Sequence, residues 1–158
     1  MRIRITATIN GRGRELAVKP NQTLLEYLRD ELHLKGSVEG CGVGVCGSCT
    51  VLVDGGPVSS CLMLATKVEG KRVTTIEGLA EGERLDPIQE AFLKHQAFQC
   101  GYCTPGMIMA TKALLESNPY PAEEDIRDYL SGNLCRCGTY GAILAAIKEL
   151  SEQRPAAK

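Results

Sequence analysis

The spacing of the cysteines constrains this chain more than any other feature. Eight of its 158 residues are cysteines, and the first four run Cys41-x4-Cys46-x2-Cys49-x11-Cys61. They lie in or just after the stretch Gly40-Cys41-Gly42-Val43-Gly44-Val45-Cys46-Gly47-Ser48-Cys49. Tetrahedral zinc sites draw their cysteines in pairs separated by a longer spacer. Three thiols on one loop with a distant fourth is instead the plant-type ligand spacing for a [2Fe-2S] cluster. Anionic sulfur is costly in a low-dielectric site unless donors meet it. Gly40, Gly42, Gly44 and Gly47 let the backbone wrap closely and aim N–H groups at the sulfurs. The other four thiols form Cys100-x2-Cys103 and Cys135-x-Cys137. Their spacing alone leaves zinc and iron–sulfur open. On a helix the Cys-x-Cys side chains would point about 200° apart, so that pair belongs in a turn or at a helix terminus.

Composition narrows the setting. Eight cysteines in 158 residues is about five per cent, below the roughly 8–10% of small disulfide scaffolds. Met1 to Ile9 alternates as a strand does and lacks the apolar core of a signal peptide, which points to cytoplasmic residence. In a reducing compartment, clustered thiols are metal ligands more often than disulfides. No stretch approaches the roughly 18 apolar residues of a membrane span. The formal net charge of -1 gives no reason to expect nucleic acid as a partner.

Residues 2–9 and 14–18 flank Asn10-Gly11, a hairpin turn signal. A two- or four-residue loop puts Ile3, Ile5, Ala7 and Ile9 on one face with Leu16 and Val18, and Thr6, Thr8 and Glu15 on the other. Arg2, Arg4, Arg12 and Arg14 are read as solvated strand edges. Thr23 with Glu26 forms a capping box opening a helix over 24–32. Short strands follow at 50–53, 57–58 and 72–75, around an Asp54-Gly55-Gly56 turn. Helices are predicted over 87–97, 105–117, 122–130 and 141–153, with Thr104 as N-cap before Pro105 and Asn118-Pro119 as a stop. The polar, glycine-containing segment 77–84 is the expected linker between domains at 1–76 and 85–158.

The strings Gln99-Cys-Gly-Tyr-Cys-Thr-Pro-Gly-Met107 and Gly132-Asn-Leu-Cys-Arg-Cys137, downstream of the glycine loop, closely resemble the small iron–sulfur subunit of the molybdenum hydroxylases. That family includes xanthine dehydrogenase, aldehyde oxidoreductase and the aerobic carbon monoxide dehydrogenases. The resemblance extends from about residue 3 to about residue 150. It implies an α+β chain: an N-terminal β-grasp ferredoxin-like domain, then an all-α four-helix domain, each holding one [2Fe-2S] cluster. Cluster 1 would use Cys41, Cys46, Cys49 and Cys61, and cluster 2 would use Cys100, Cys103, Cys135 and Cys137. The resemblance further implies a molybdopterin, of the cytosine dinucleotide type, in a large molybdenum-binding subunit. Gln99 matches the residue that hydrogen-bonds the pterin, and Cys137 the ligand nearest it. Electrons would leave to FAD in a medium subunit, within a dimer of heterotrimers. Arg136, between two ligands, is a candidate for tuning cluster charge or meeting another subunit. His33 and His95 are read as solvated helix residues, because the thiols already complete two sites.

One stretch departs from the usual family order Thr-Gly-Tyr after Cys-Arg-Cys: here it is Gly138-Thr139-Tyr140. That order resembles the isoquinoline oxidoreductase branch, which often lacks an FAD subunit, whereas Cys103-Thr-Pro-Gly resembles flavin-linked members. The expectation is FAD, with a cytochrome as the other acceptor weighed. Two rival readings are a free-standing two-cluster ferredoxin, which leaves the second thiol set without a purpose, and a zinc-stabilised interaction module.

Overall fold

In the computed structural model, residues 1–153 are described, and the end of the expected helical domain, 154–158, lies outside the described residues. The chain opens with a hairpin of β1 (Ile3–Ile9) and β2 (Arg12–Val18), with Ile3 opposite Val18 and Ile5 opposite Leu16. The expected register is present. Asn10 and Gly11 take φ of 50° and 75°, the left-handed pair that a two-residue turn requires.

Thr23 accepts the Glu26 N–H while the Glu26 carboxylate accepts the Thr23 N–H, so the capping box forms. The helix it opens, α1 (Leu24–Glu26), widens into a π turn over Tyr27–Glu31, closed by the Leu32 N–H on the Tyr27 carbonyl. Leu24 and Leu28 from this segment lie in the sheet core with Ile5, Ile9, Leu16, Val18, Val51 and Val73. Arg29 donates to the carbonyls of Lys35 and Ser37, which pins the approach to the cysteine loop. Beyond that loop come β3 (Thr50–Val53), β4 (Gly56–Ser59) and β5 (Arg72–Thr74). The sheet order is β2-β1-β5-β3-β4, parallel between β1 and β5 and antiparallel elsewhere.

The rest is helical: α2 (Pro87–Lys94), α3 (Thr104–Ser117), α4 (Glu123–Tyr129) and α5 (Tyr140–Glu152). The mixed sheet followed by four helices is the expected fold class. Asp86 caps α2 in a second capping box, with Gln89. α3 begins one residue earlier than expected: Cys103 is already right-handed and takes the N-cap position, which puts Thr104 inside the helix. The Thr104 hydroxyl is consequently buried without a hydrogen-bond partner. Phe92, Met107, Leu115, Ile126, Ile143 and Ile147 fill the helical core.

β3 joins the two cores. Successive strand residues face opposite ways, so Val51 and Val53 enter the sheet core while Leu52 packs on Met109 and Ala113 of α3. The segment expected as a linker is anchored at its start. Ile76–Gly78 forms a 3-10 turn, and the Glu77 carboxylate accepts from the Gly36 N–H at 2.7 Å and the Thr75 hydroxyl at 2.6 Å.

Candidate metal centres

The glycine loop carries Cys41, exposed, Cys46, half-buried, and Cys49, buried; Cys61, also buried, follows β4. Cys41 Sγ accepts the backbone N–H groups of Val43, Val45 and Cys46 at 3.3–3.4 Å. These donors hold its thiol well below the ordinary cysteine range, at about 6. Burial, reinforced by the Cys49 thiol beside it, pushes Cys61 up to about 11. The backbone crowds the sulfurs, because a methyl on Gly40 would sit 2.7 Å from Cys46 Sγ. Leu62 closes over Gly44, where an added methyl would lie 2.2 Å from Leu62 Cδ1.

The second set lies at two helix starts. Cys100 and Cys103 precede α3, and Cys135 and Cys137 sit in the turn before α5, as the Cys-x-Cys spacing requires. Burial drives Cys103 up to about 12, and the Cys135 thiol adds to it. Burial is also the largest single influence on Cys135, and it pushes upward. The thiol is nevertheless held down, at about 7, because the Thr139 hydroxyl and N–H and neighbouring donors outweigh it together. The Thr139 Oγ1 to Cys135 Sγ distance is 3.1 Å. The Tyr102 N–H draws Cys100 down. Tyr140 Oη accepts the Cys135 N–H at 2.7 Å.

Within each set the thiols are close enough to influence one another. In the first, Cys61 acts with Cys49 and Cys41, and Cys41 with Cys46; in the second, Cys100 acts with Cys137 and Cys135, and Cys103 with Cys135 and Cys100. A [2Fe-2S] cluster takes four thiolates. Four cysteines in each set, with backbone N–H groups aimed at Cys41 and Cys100, fit that demand.

The two sets touch. Leu134 donates its N–H to the Cys46 carbonyl at 2.9 Å, and the adjacent Asn133 donates Nδ2 to the Gly47 carbonyl at 3.1 Å. The Tyr102 hydroxyl donates to the Glu39 carbonyl at 2.6 Å. Gly47 and Gly106 make this approach possible: a methyl on Gly106 would lie 2.2 Å from the Gly47 carbonyl oxygen, and one on Gly47 would lie 2.5 Å from the Gly132 oxygen. Gly47, with φ of 69°, thus serves contact with the second set in addition to its place in the turn of the loop.

Gln99 and Arg136 are both exposed beside the outer pair Cys100 and Cys137. Of the two histidines, His33 is exposed, as expected, but follows the helical segment with φ of 57° instead of lying within it. His95 ends α2, its Nε2 lying 2.7 Å from Glu149 Oε2, and is a partly buried tie to α5 rather than a solvated residue. Sequence reasoning missed Tyr102, Asn133, Thr139 and Tyr140 as neighbours of the thiols. Only the order Gly138-Thr139-Tyr140 carried a signal, and its physical meaning was hidden.

Two thiol sets, each suited to two irons, and a ferredoxin-like sheet followed by helices define a two-centre iron–sulfur protein. The sequence matches the family described as "2Fe-2S iron-sulfur cluster binding domain" over residues 7–80 and the "[2Fe-2S] binding domain" family over 75–148. It is 46% identical over 152 residues to the nicotine 6-hydroxylase small subunit of Paenarthrobacter nicotinovorans, covering 96% of this chain and 92% of that one. It is 45% identical over 152 residues to the nicotinate dehydrogenase small FeS subunit of Eubacterium barkeri, covering 96% of this chain and 97% of that one. Quinoline 2-oxidoreductase from Pseudomonas putida 86 superimposes with a TM-score of 0.92 at 46% identity, over 96% of this chain and 94% of that chain. The chain belongs to the family of small iron–sulfur subunits of the molybdenum hydroxylases. No helix among the described residues is long and apolar enough to cross a membrane.

Proposed function

We propose that this chain relays electrons, one at a time, from a molybdopterin centre in a large subunit through two clusters to an acceptor, FAD in a medium subunit. When bound, each [2Fe-2S] cluster supplies reversible one-electron storage. Cys41, Cys46, Cys49 and Cys61 hold the first, and Cys100, Cys103, Cys135 and Cys137 the second. The chain binds no substrate; its residues hold, insulate and tune. Gln99 and Cys137 face the pterin, and the loop from Gly40 to Cys49 faces the acceptor. The two centres correspond to domains at 1–76 and 85–158.

The observation that carries this reading is the junction of the two thiol sets. The Leu134 N–H on the Cys46 carbonyl gives a covalent and hydrogen-bonded route from Cys135 to Cys46 with one short break. A diffusing ferredoxin needs no such second station. Cytoplasmic residence is part of this reading, since clustered thiols in a reducing compartment serve as metal ligands more often than as disulfides. A dimer of heterotrimers is the assembly we infer, its pterin the cytosine dinucleotide.

Purification of the complex from its own host tests this reading. Molybdenum, about four irons per copy of this chain and flavin should co-elute. A two-cluster monomer with no molybdenum subunit in any fraction would leave the ferredoxin reading standing. Haem in place of flavin would move the acceptor to a cytochrome. Zinc without iron would establish an interaction module.

A further inference from the structure

Thr139 stands at the N-cap position of α5 but makes no side-chain capping bond. A threonine there ordinarily accepts a backbone N–H of the first helical turn. Its hydroxyl instead lies 3.1 Å from Cys135 Sγ. The Cys135 N–H is turned away to Tyr140 Oη. Gly138, with φ of 77°, makes the tight turn that returns residue 139 to the sulfur. A residue with a side chain is strained at that φ, so the order Gly-Thr, and not Thr-Gly, delivers a hydroxyl to Cys135.

From this geometry we propose that Thr139 sets the reduction potential of the second cluster, as a positioning residue acting through Cys135. The inference rests on the reading of Cys135 as a cluster ligand. A thiolate ligand has no proton to give, so the Thr139 O–H is the donor. Reduction adds one electron and no proton, and part of the added charge falls on the ligand sulfurs. The hydroxyl proton stays on Oγ1 and stabilises that added charge, which makes the reduced state easier to reach. Cys41 receives backbone donors only from nearby amides, whereas Cys135 receives a hydroxyl in addition to backbone donors. A hydroxyl can be removed by a single substitution.

The test is an EPR-monitored redox titration of the whole complex carrying Thr139→Val or Thr139→Ser, with the second cluster identified as the signal lost in Cys137→Ser. Thr139→Val should lower the equilibrium constant for one-electron reduction of the second cluster about tenfold, 59 mV for a one-electron couple. Thr139→Ser should restore it to within about twofold, and the first cluster should not move. An unchanged constant in Thr139→Val, or an equal shift in both clusters, overturns the proposal. If Thr139→Val takes up no second cluster, Thr139→Ala decides on the same criterion. If neither holds it, Thr139 serves assembly and the proposal falls. A wild-type complex with no signal that responds to Cys137→Ser would instead sink the assignment of the ligands.

Discussion

Backbone amides serve both thiol sets, and each set also has a hydroxyl beside one sulfur, Ser48 Oγ at 3.6 Å from Cys46 Sγ and Thr139 Oγ1 at 3.1 Å from Cys135 Sγ. The sets differ in how far along the chain their donors come from. In the glycine loop, three nearby amides converge on Cys41. Near α5, a hydroxyl reaches Cys135 Sγ and a phenol occupies its N–H. Both sets nonetheless run from buried to exposed: Cys49 and Cys61 are buried, Cys46 half-buried and Cys41 exposed, while Cys135 is buried, Cys103 and Cys137 half-buried and Cys100 exposed. The common demand is a shielded anion with an open edge for electrons. A glycine loop meets it locally, whereas a pair of helix starts must be brought together by tertiary packing.

That contrast breaks most visibly by removing one ligand from each set. Cys46→Ser should reduce iron from about four to about two per chain while leaving the second cluster reducible by substrate, as followed by iron analysis and EPR. Cys137→Ser should halve the iron equally but disconnect the molybdenum centre. Loss of both clusters from Cys46→Ser would mean that the junction, and not the loop, holds the first set.

The junction itself comes next. Gly106→Ala places a methyl against the Gly47 carbonyl and 3.1 Å from Ser48 Cα, both of them backbone atoms. Overpacking of this kind costs roughly 3 kcal/mol, against about 1 kcal/mol gained from helix propensity. A net loss of about 2 kcal/mol is expected in urea unfolding of the cluster-loaded protein. Asn133→Ala removes the buried bond to Gly47, whose carbonyl keeps the Thr50 N–H and hydroxyl. It should cost about 1 kcal/mol by the same measurement and loosen both sets together.

The smallest effect lies in the helices alone. Lys94, His95 and Gln153 hold the Glu149 carboxyl down to about 2 from its ordinary 4.5. A depressed carboxylate contributes stability above its unfolded value and loses it as the pH falls through the folded one. The contribution should thus be whole above pH 4.5 and disappear towards pH 2. Glu149→Gln should flatten the acid limb of unfolding of the whole chain, and less so at high salt because the pair is partly exposed.

The sequence was most legible where structure is local. The hairpin register followed from alternation and Asn10-Gly11, the Thr23 box from three-residue spacing, and the helix stop from Asn118-Pro119. The cysteine loop was readable because its donors lie within five residues of Cys41. The second set was ambiguous because its members approach only through packing of α3 and α5. Asn133 on Gly47 bridges 86 residues, a separation at which no periodicity or spacing carries information. The early start of α3 was lost because a cysteine at the N-cap has no propensity signal, although Asp86 and Gln89 did offer an unread capping box.

Leu52 belongs to the sheet by hydrogen bonding and to the helices by burial, at 4% exposure against Met109 and Ala113. A strand that is core on both faces cannot leave one side without stripping the other of its cover. Cutting the chain at the polar segment after Thr75 would therefore yield two fragments with exposed apolar faces rather than two smaller proteins. Melting of the intact chain should proceed as one cooperative transition, so a break that looks natural in the gene is not a seam in the folded molecule.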